Sequence, residues 1–207
     1  AVASNFACAG FAAASGSSVA TAAAMGRIAI PEMIRQGYDK ALATGTVASA
    51  GTLGSLIPPS ILFVLYGVFA ETSITQLLIA GVFPGLLTAA VYALMIIGRC
   101  KLNPKLAPPT TITVDRGERW RALGAVWPLL VLILGIIGGL YGGIVTPTEA
   151  GAFGAFLAFV IAFFQKRLSL KVIKDSVLEA VTSTARIFFV AVGAVMLTKF
   201  LALTGVP

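Results

Sequence analysis

Gly51-Thr-Leu-Gly-Ser-Leu-Ile-Pro-Pro-Ser60 lies inside a run, residues 41–70, that contains no charged residue. Proline has no N–H and clashes with the carbonyl four residues earlier, so a helix that arrives from Ala41 cannot continue through Pro58 and Pro59. In hydrocarbon, the carbonyls freed by such a break are costly unless protein, water or an ion satisfies them. We therefore predict a broken helix, which at membrane depth is a candidate ion or substrate site. A simple proline kink is the alternative interpretation.

The composition is that of a membrane protein. Of the 207 residues, 58% are hydrophobic and only 11% are charged, which is unusual for a soluble domain. The net charge of +7 would suit nucleic-acid binding, but the basic residues cluster between apolar runs, and the positive-inside rule explains that pattern better. We therefore expect the lipid bilayer, and no nucleic acid, as a partner.

Few residues suited to catalysis are present. Histidine, the commonest general base and metal ligand, is absent. Cys8 and Cys100 are far apart in the sequence and suggest neither a disulfide nor a metal site. An intramembrane serine hydrolase would need an activated serine, and no lysine lies beside Ser15 or Ser60. We therefore expect neither an enzyme nor a bound cofactor.

Residues 1–36 predict a re-entrant helical hairpin. The segments Ala1–Ala14 and Ser18–Met33 are rich in small residues, and between them lies the polar stretch Ser15-Gly-Ser-Ser18. Ser17 or Ser18 can N-cap the second arm, which leaves free N–H groups at the tip. Such a hairpin is tolerated in a membrane only when protein or a water-filled cavity surrounds it. One continuous packing helix is the alternative interpretation.

The rest of the chain predicts a multi-pass helical bundle. The predicted elements are the broken helix 41–70, a span over 74–98, a cytoplasmic connection over 99–121, spans over 122–141, 150–165 and 187–203, and an amphipathic helix over 168–186. Gly81-Val-Phe-Pro-Gly85 predicts a kink or a point of close packing, and Thr148 is a candidate N-cap after Pro147. The chain opens without methionine and closes after an apolar run, so we expect an interior fragment of a longer protein.

The basic residues also predict an orientation. With Arg27–Lys40, Arg99–Arg121 and Gln165–Arg186 in the cytoplasm, every predicted span alternates correctly across the membrane. Glu71 and Glu149 then lie outside, and the hairpin enters from the cytoplasmic side.

Several stretches resemble the large membrane subunit of tripartite ATP-independent periplasmic (TRAP) transporters. They are Phe11-Ala-Ala-Ala-Ser-Gly-Ser-Ser-Val-Ala-Thr-Ala-Ala-Ala-Met-Gly26, Pro31-Glu-Met33, Gly37-Tyr38, Gly51–Ser60, Tyr66-Gly67, Glu71-Thr-Ser-Ile74, Gly81–Gly85 and Thr146-Pro-Thr-Glu-Ala150. The pairing of Ser-Gly-Ser-Ser with Leu-Ile-Pro-Pro-Ser is the most specific part. Compared with the family chain, this sequence lacks the initial scaffold helices, the second hairpin and the second broken helix.

The resemblance implies a secondary transporter with inverted repeats and an elevator-like moving domain. Residues 1–98 would be the first-repeat part of the transport domain, and residues 122–207 the start of the second repeat. Sodium ions would drive uptake of organic acids, such as C4-dicarboxylates or sialic-acid-like carboxylates, across the bacterial inner membrane. A periplasmic binding protein would deliver the substrate, and a small membrane subunit would complete the scaffold.

The resemblance and the physics of helix ends together assign candidate site residues. Sodium needs oxygen ligands, and the C-terminal end of a half-helix is negative. The predicted sodium ligands, mostly through backbone carbonyls, are Ser15, Gly54, Ile57 and Pro59. A substrate carboxylate would instead meet the N-termini of half-helices. The predicted substrate contacts are Ser17, Ser18, Thr21 and Ser60, with Thr52 in addition. A channel and a scaffold without a site are the alternative functions.

Overall fold

A computed structural model describes residues 1–107, 117, 124 and 126–205. Its helices are α1 (Val2–Ser15), α2 (Ser18–Arg35), α3 (Lys40–Gly51), α4 (Ile61–Phe69), α5 (Ile74–Leu102), α6 (Trp127–Tyr141), α7 (Pro147–Phe164) and α8 (Leu170–Thr204). Within the described ranges there is no β-strand, which confirms the all-α fold class. Residues 1–157 and 158–207 form two compact units.

In the described part of the chain, three helices are long and apolar enough to cross a membrane, namely α5, α7 and α8. The helices α1 and α6 are also apolar, but shorter. This pattern, found in the described part of the chain, is that of a helical membrane protein. Re-entry of the hairpin into the bilayer and an elevator motion remain predictions.

The hairpin consists of two helices, as its sequence predicts. α1 ends at Ser15, and Gly16 follows with φ +62°, a left-handed conformation that favours glycine. Ser17 is the N-cap of α2, because its hydroxyl oxygen accepts a hydrogen bond from the Ala20 N–H at 3.3 Å. Of the two serines proposed as caps, Ser17 therefore has this role, and Gly16 and Ser17 form the tip.

A core of small side chains holds α1, α2, α3 and α5 together. Its buried members are Cys8, Ala12, Ala29, Val47, Ala50, Leu53 and Ala89. Asp39 N-caps α3, since its carboxylate accepts from the Leu42 N–H at 3.0 Å. Small residues let helix backbones approach closely, which is how helices associate in lipid.

The helix of residues 41–70 is broken where the prolines predict it. α3 ends at Gly51, and a short 3-10 segment, Thr52–Ser55, follows it. The Ile57 N–H still reaches the Leu53 carbonyl at 2.8 Å. The Pro58–Pro59 peptide bond is cis, and α4 begins only at Ile61. Because Pro58 and Pro59 have no N–H, they cannot bond to the Gly54 and Ser55 carbonyls as a continuing helix would.

The Gly81–Gly85 stretch of α5 is a point of close packing. α5 runs without interruption over 29 residues, with Pro84 inside it. A Cβ on Gly81 would collide with Phe63, and one on Gly85 would lie 2.9 Å from the Ile57 side chain. The predicted span over 74–98 continues to Leu102. Residues 108–116 and 118–123 of the predicted connection and the following span lie outside the described residues.

Two helix boundaries differ from the sequence prediction. The predicted amphipathic helix 168–186 and the span 187–203 are one helix, α8, of 35 residues. No proline interrupts it, and at about 1.5 Å per residue it is about 50 Å long, more than a bilayer core requires. α7 starts at Pro147, and its cap is Thr146 rather than Thr148. The Thr146 hydroxyl accepts from the Glu149 N–H at 3.4 Å, while the Glu149 carboxylate accepts from the Thr146 N–H at 2.8 Å.

Candidate ion and substrate site

The hairpin tip lies directly against the broken segment. The Ile61 N–H donates to the Gly16 carbonyl at 3.1 Å. A Cβ on Gly16 would lie 2.5 Å from the Pro59 carbonyl oxygen, and a Cβ on Gly54 would lie 2.6 Å from the Ser17 carbonyl oxygen. Real Cβ atoms do not come this close, so two glycines allow the backbones to touch. The turn between α1 and α2 and the break between α3 and α4 therefore form one structural unit.

Of the predicted sodium ligands, Gly54 and Pro59 contact the tip directly. Gly54 is buried, whereas Ile57 and Pro59 are half-buried. Ile57 lies between them in the chain, immediately before two residues that lack an N–H. The structure therefore brings the segment that contains Gly54, Ile57 and Pro59 against the hairpin tip. Ion coordination by these carbonyls remains a prediction.

The fourth predicted ligand, Ser15, takes part in a hydroxyl relay within the tip. Thr21 donates its hydroxyl proton to the Ser17 carbonyl at 2.7 Å. The Ser15 and Thr21 hydroxyl oxygens are 2.9 Å apart, and because the Thr21 proton is already used, Ser15 is the donor in this pair. The relay stabilises the turn, and it leaves oxygen lone pairs of Ser15 free to accept a further partner.

The predicted substrate contacts fall into two groups. Ser17 and Ser18, at the N-terminus of α2, are half-buried, and Thr52 is exposed. Thr21 is 0% and Ser60 is 1% exposed. Ser60 donates its hydroxyl to the Ser55 carbonyl at 2.8 Å and does not cap α4. In this conformation the Thr21 and Ser60 hydroxyls bond to backbone carbonyls inside the protein, whereas the other three residues are at least partly exposed. Substrate binding by all five remains a prediction.

Two residues that the sequence analysis did not single out also contact these elements. The Thr52 hydroxyl donates to the Ser49 carbonyl at 2.7 Å and lies 3.3 Å from the Tyr92 hydroxyl, so Tyr92 is the donor to Thr52. Asn5 is fully buried, and its Nδ2 donates to the Ala89 carbonyl at 2.9 Å. The sequence did contain a sign of this contact, since Asn5 is the one asparagine in an uncharged helix. A polar side chain that is buried there needs a hydrogen-bond partner.

The site offers uncharged oxygen ligands. In the described part of the chain, no three His, Cys, Asp or Glu side chains are grouped closely enough to hold a metal ion. A cation at the tip would be held by backbone carbonyl and hydroxyl oxygens at the negative end of a half-helix. Unwound carbonyls and half-helix ends of this kind coordinate sodium in secondary transporters. The donor set therefore fits a hard monovalent cation.

A separate cavity lies at the opposite end of the hairpin. It has a volume of about 690 Å³ and lies between the start of α1 and the ends of α2 and α5, with Met33 and Ile96 among its lining residues. Glu32, at its rim, forms an ion pair with Arg35 at 2.6 Å. This hydrogen bond, and a second one from Gln36, lower the pKa of Glu32. The cavity contains no residue of the hairpin tip or of the break.

A helical hairpin whose turn packs against an interrupted helix is an architecture typical of secondary transporters. The family model described as "Tripartite ATP-independent periplasmic transporter, DctM component" matches residues 1–207. The chain belongs to this family.

Individual relatives support the same assignment. The chain is 41% identical to the C4-dicarboxylate TRAP transporter large permease protein DctM of Pseudomonas aeruginosa, over 100% of this chain and 48% of that protein. It is 37% identical to the isethionate TRAP transporter permease protein DctMQ of Oleidesulfovibrio alaskensis, over 97% of this chain and 31% of that protein. It is 35% identical to the ectoine/5-hydroxyectoine permease UehC of Ruegeria pomeroyi, over 94% and 45%. The chain thus spans about half the length, or less, of these relatives.

Proposed function

We propose that the chain forms part of the permease subunit of a binding-protein-dependent TRAP transporter in the bacterial inner membrane. In this proposal, the subunit takes up organic acids and sodium together. The observation that carries it is the backbone contact between the hairpin tip and the broken helix, at Gly16 with Pro59 and at Gly54 with Ser17. Family membership supports it as well.

Sodium would bind where the first half of the broken helix ends. The carbonyls of Gly54, Ile57 and Pro59, with an oxygen of Ser15, would replace part of the hydration shell of the ion. Because these oxygens belong to two elements, the tip and the break, the ion would stabilise their packed arrangement. Coupling would follow if substrate binding also requires that arrangement.

The substrate would be an organic acid whose carboxylate lies at half-helix N-termini. The positive end of the helix dipole at the starts of α2 and α4 favours an anion. Ser17 and Ser18 are half-buried and Thr52 is exposed, so these residues are not closed off from a substrate. The relatives are named for different substrates, and the 41% identity to a C4-dicarboxylate permease makes C4-dicarboxylates the first class to test, before sialic-acid-like acids. The transporter would also need a small membrane subunit and a periplasmic binding protein.

The test is uptake by the full-length permease, reconstituted in proteoliposomes with its small subunit and binding protein. We expect saturable accumulation of a labelled C4-dicarboxylate when an inward sodium gradient is imposed, and none when potassium replaces sodium. Uptake that is equal in the two salts would contradict sodium coupling. Flux that rises linearly with substrate concentration would indicate a channel instead.

A further inference from the structure

α5 contacts α1, the 3-10 segment and the break at positions about one helical turn apart. Gly81 and Gly85 lie against the broken segment, the Ala89 carbonyl accepts from Asn5 of the hairpin, and Tyr92 donates to Thr52. Residues separated by three or four positions share one face of a helix. One face of α5 is therefore the surface on which the hairpin arm, the 3-10 segment and the break are held.

Gly85 makes the most consequential of these contacts. A Cβ at this position would lie 2.9 Å from Cγ1 of Ile57 and 3.4 Å from the backbone Cα and N of the same residue. Both Gly85 and Gly81 are buried. A Cβ on Gly81 would lie 3.0 Å from the carbonyl oxygen of Leu56. A methyl group at Gly85 would thus press on the Ile57 side chain, and one at Gly81 would press on the Leu56 carbonyl oxygen, while the Ile57 backbone lies at ordinary contact distance from residue 85.

The Ile57 side chain packs against the core, and its peptide N–H makes a hydrogen bond. Its N–H donates to the Leu53 carbonyl at 2.8 Å. The next two residues, Pro58 and Pro59, have no N–H, so they cannot anchor the segment by donating hydrogen bonds. On α5, Gly85 lies against Ile57, so a side chain at residue 85 would press on Ile57.

We infer that Gly85 is a positioning residue for cation binding: it sets the location of the Ile57 carbonyl and thereby the sodium affinity of the site. This inference rests on the proposed function. Gly85 itself touches no ion, and it acts only through Ile57. The physical effect is one of preorganisation, since carbonyls that are already in place bind an ion without a cost of rearrangement.

Gly85→Ala is the direct variant. The added methyl group must displace the Ile57 side chain, so the sodium concentration that gives half-maximal uptake should rise several-fold. The maximal rate at saturating sodium should change by less than about twofold. Ion binding at high concentration shifts the population toward the arrangement in which the carbonyls coordinate sodium. Gly98→Ala is the matched control on the same helix, since a Cβ there meets nothing within 4 Å.

A double variant tests whether the effect passes through Ile57. Ile57→Ala removes Cγ1, the atom that a methyl group on residue 85 would meet first, and keeps the backbone carbonyl. Gly85→Ala combined with Ile57→Ala should therefore show a half-saturation value closer to wild type than Gly85→Ala alone. Strict additivity of the two substitutions would contradict transmission through this contact.

The experiment is a sodium titration of C4-dicarboxylate uptake by the full-length transporter with its partners in proteoliposomes. A several-fold rise for Gly85→Ala, with Gly98→Ala unchanged and partial rescue in the double variant, supports the inference. An unchanged half-saturation value, or a loss confined to maximal rate, overturns it. If Gly85→Ala fails to accumulate in the membrane, rescue of accumulation and sodium affinity by Ile57→Ala decides in favour, and no rescue decides against. Sodium-independent uptake by wild type would instead contradict the proposed function.

Discussion

At the scale of single residues, Gly54 is one of the two glycines at which the backbones of the break and the hairpin tip touch. A side chain there would collide with the Ser17 backbone at 2.6 Å, and backbone cannot move aside as a flexible side chain does. We predict that Gly54→Val abolishes uptake while the protein still inserts in the membrane. The measurement is uptake in proteoliposomes together with the yield of monodisperse permease.

The control for this prediction is Gly45→Val on α3, the helix that precedes the 3-10 segment containing Gly54. Gly45 is exposed, and a Cβ there meets nothing within 4 Å. This control should retain uptake. Equal uptake by Gly54→Val and Gly45→Val would show that the tip does not need to rest on the break.

A second prediction concerns Thr46, which is 3% exposed in the core beside Val47. Among the residues that the structure describes, its hydroxyl oxygen has no hydrogen-bond partner, and a buried polar group without a partner costs stability. Thr46→Val keeps the branched shape and removes that oxygen. We expect it to be neutral or to stabilise the protein by about 1 kcal/mol, seen as an equal or higher melting temperature in detergent. A clear drop in melting temperature would indicate that a water molecule or another ligand holds this hydroxyl.

The sequence allowed prediction of features that depend on local chemistry. Prolines 58 and 59 predict the break, and the tip serines predict the turn and its cap. It did not predict that the hydroxyls of Thr21 and Ser60 are buried and hydrogen-bonded to backbone carbonyls. The partners of these side chains depend on the folded turn. Serine and threonine are also common both at helix starts and in ligand sites, so their presence alone does not distinguish the two roles.

At the scale of elements, the break depends on residues that cannot donate to a helix ladder. Pro59→Ala restores one N–H, while Pro58 still interrupts the helix. We predict partial repair of the helix and weaker sodium coupling, seen as a higher half-saturation concentration of sodium with uptake still measurable. A sodium response identical to wild type would show that the geometry at Pro59 does not matter for ion binding.

Helix boundaries were predicted less well than helix breaks. In α8, a change from amphipathic to apolar sequence was interpreted as two elements, although polarity can change along one helix when no residue interrupts it. At the start of α7, Thr148 was predicted as the N-cap, but Thr146 has that role. Thr146-Pro-Thr-Glu149 fits a capping box, in which Thr146 and Glu149 satisfy each other's backbone N–H groups. Proline is favoured at the first position of a helix, which explains why Pro147 belongs to α7.

At the scale of the whole molecule, the distribution of Lys and Arg predicts that the end of α5 is cytoplasmic. Cys100 is a native reporter there, because it is partly accessible, whereas Cys8 is buried. The variant to use carries Cys8→Ala and has Cys100 as its one accessible cysteine. An impermeant thiol reagent should label Cys100 in inside-out vesicles and not in intact spheroplasts. The opposite pattern would reverse the whole predicted topology.

The central claim is that the tip and the break of this family member form one sodium site from backbone oxygens. The most direct measurement is a high-resolution cryo-EM structure of the full-length transporter, with its partners, in sodium and after exchange into choline. We predict density for an ion in contact with the carbonyls of Gly54, Ile57 and Pro59 in sodium only. Carbonyls that are bonded to protein donors in both conditions, with no space for an ion, would contradict the account.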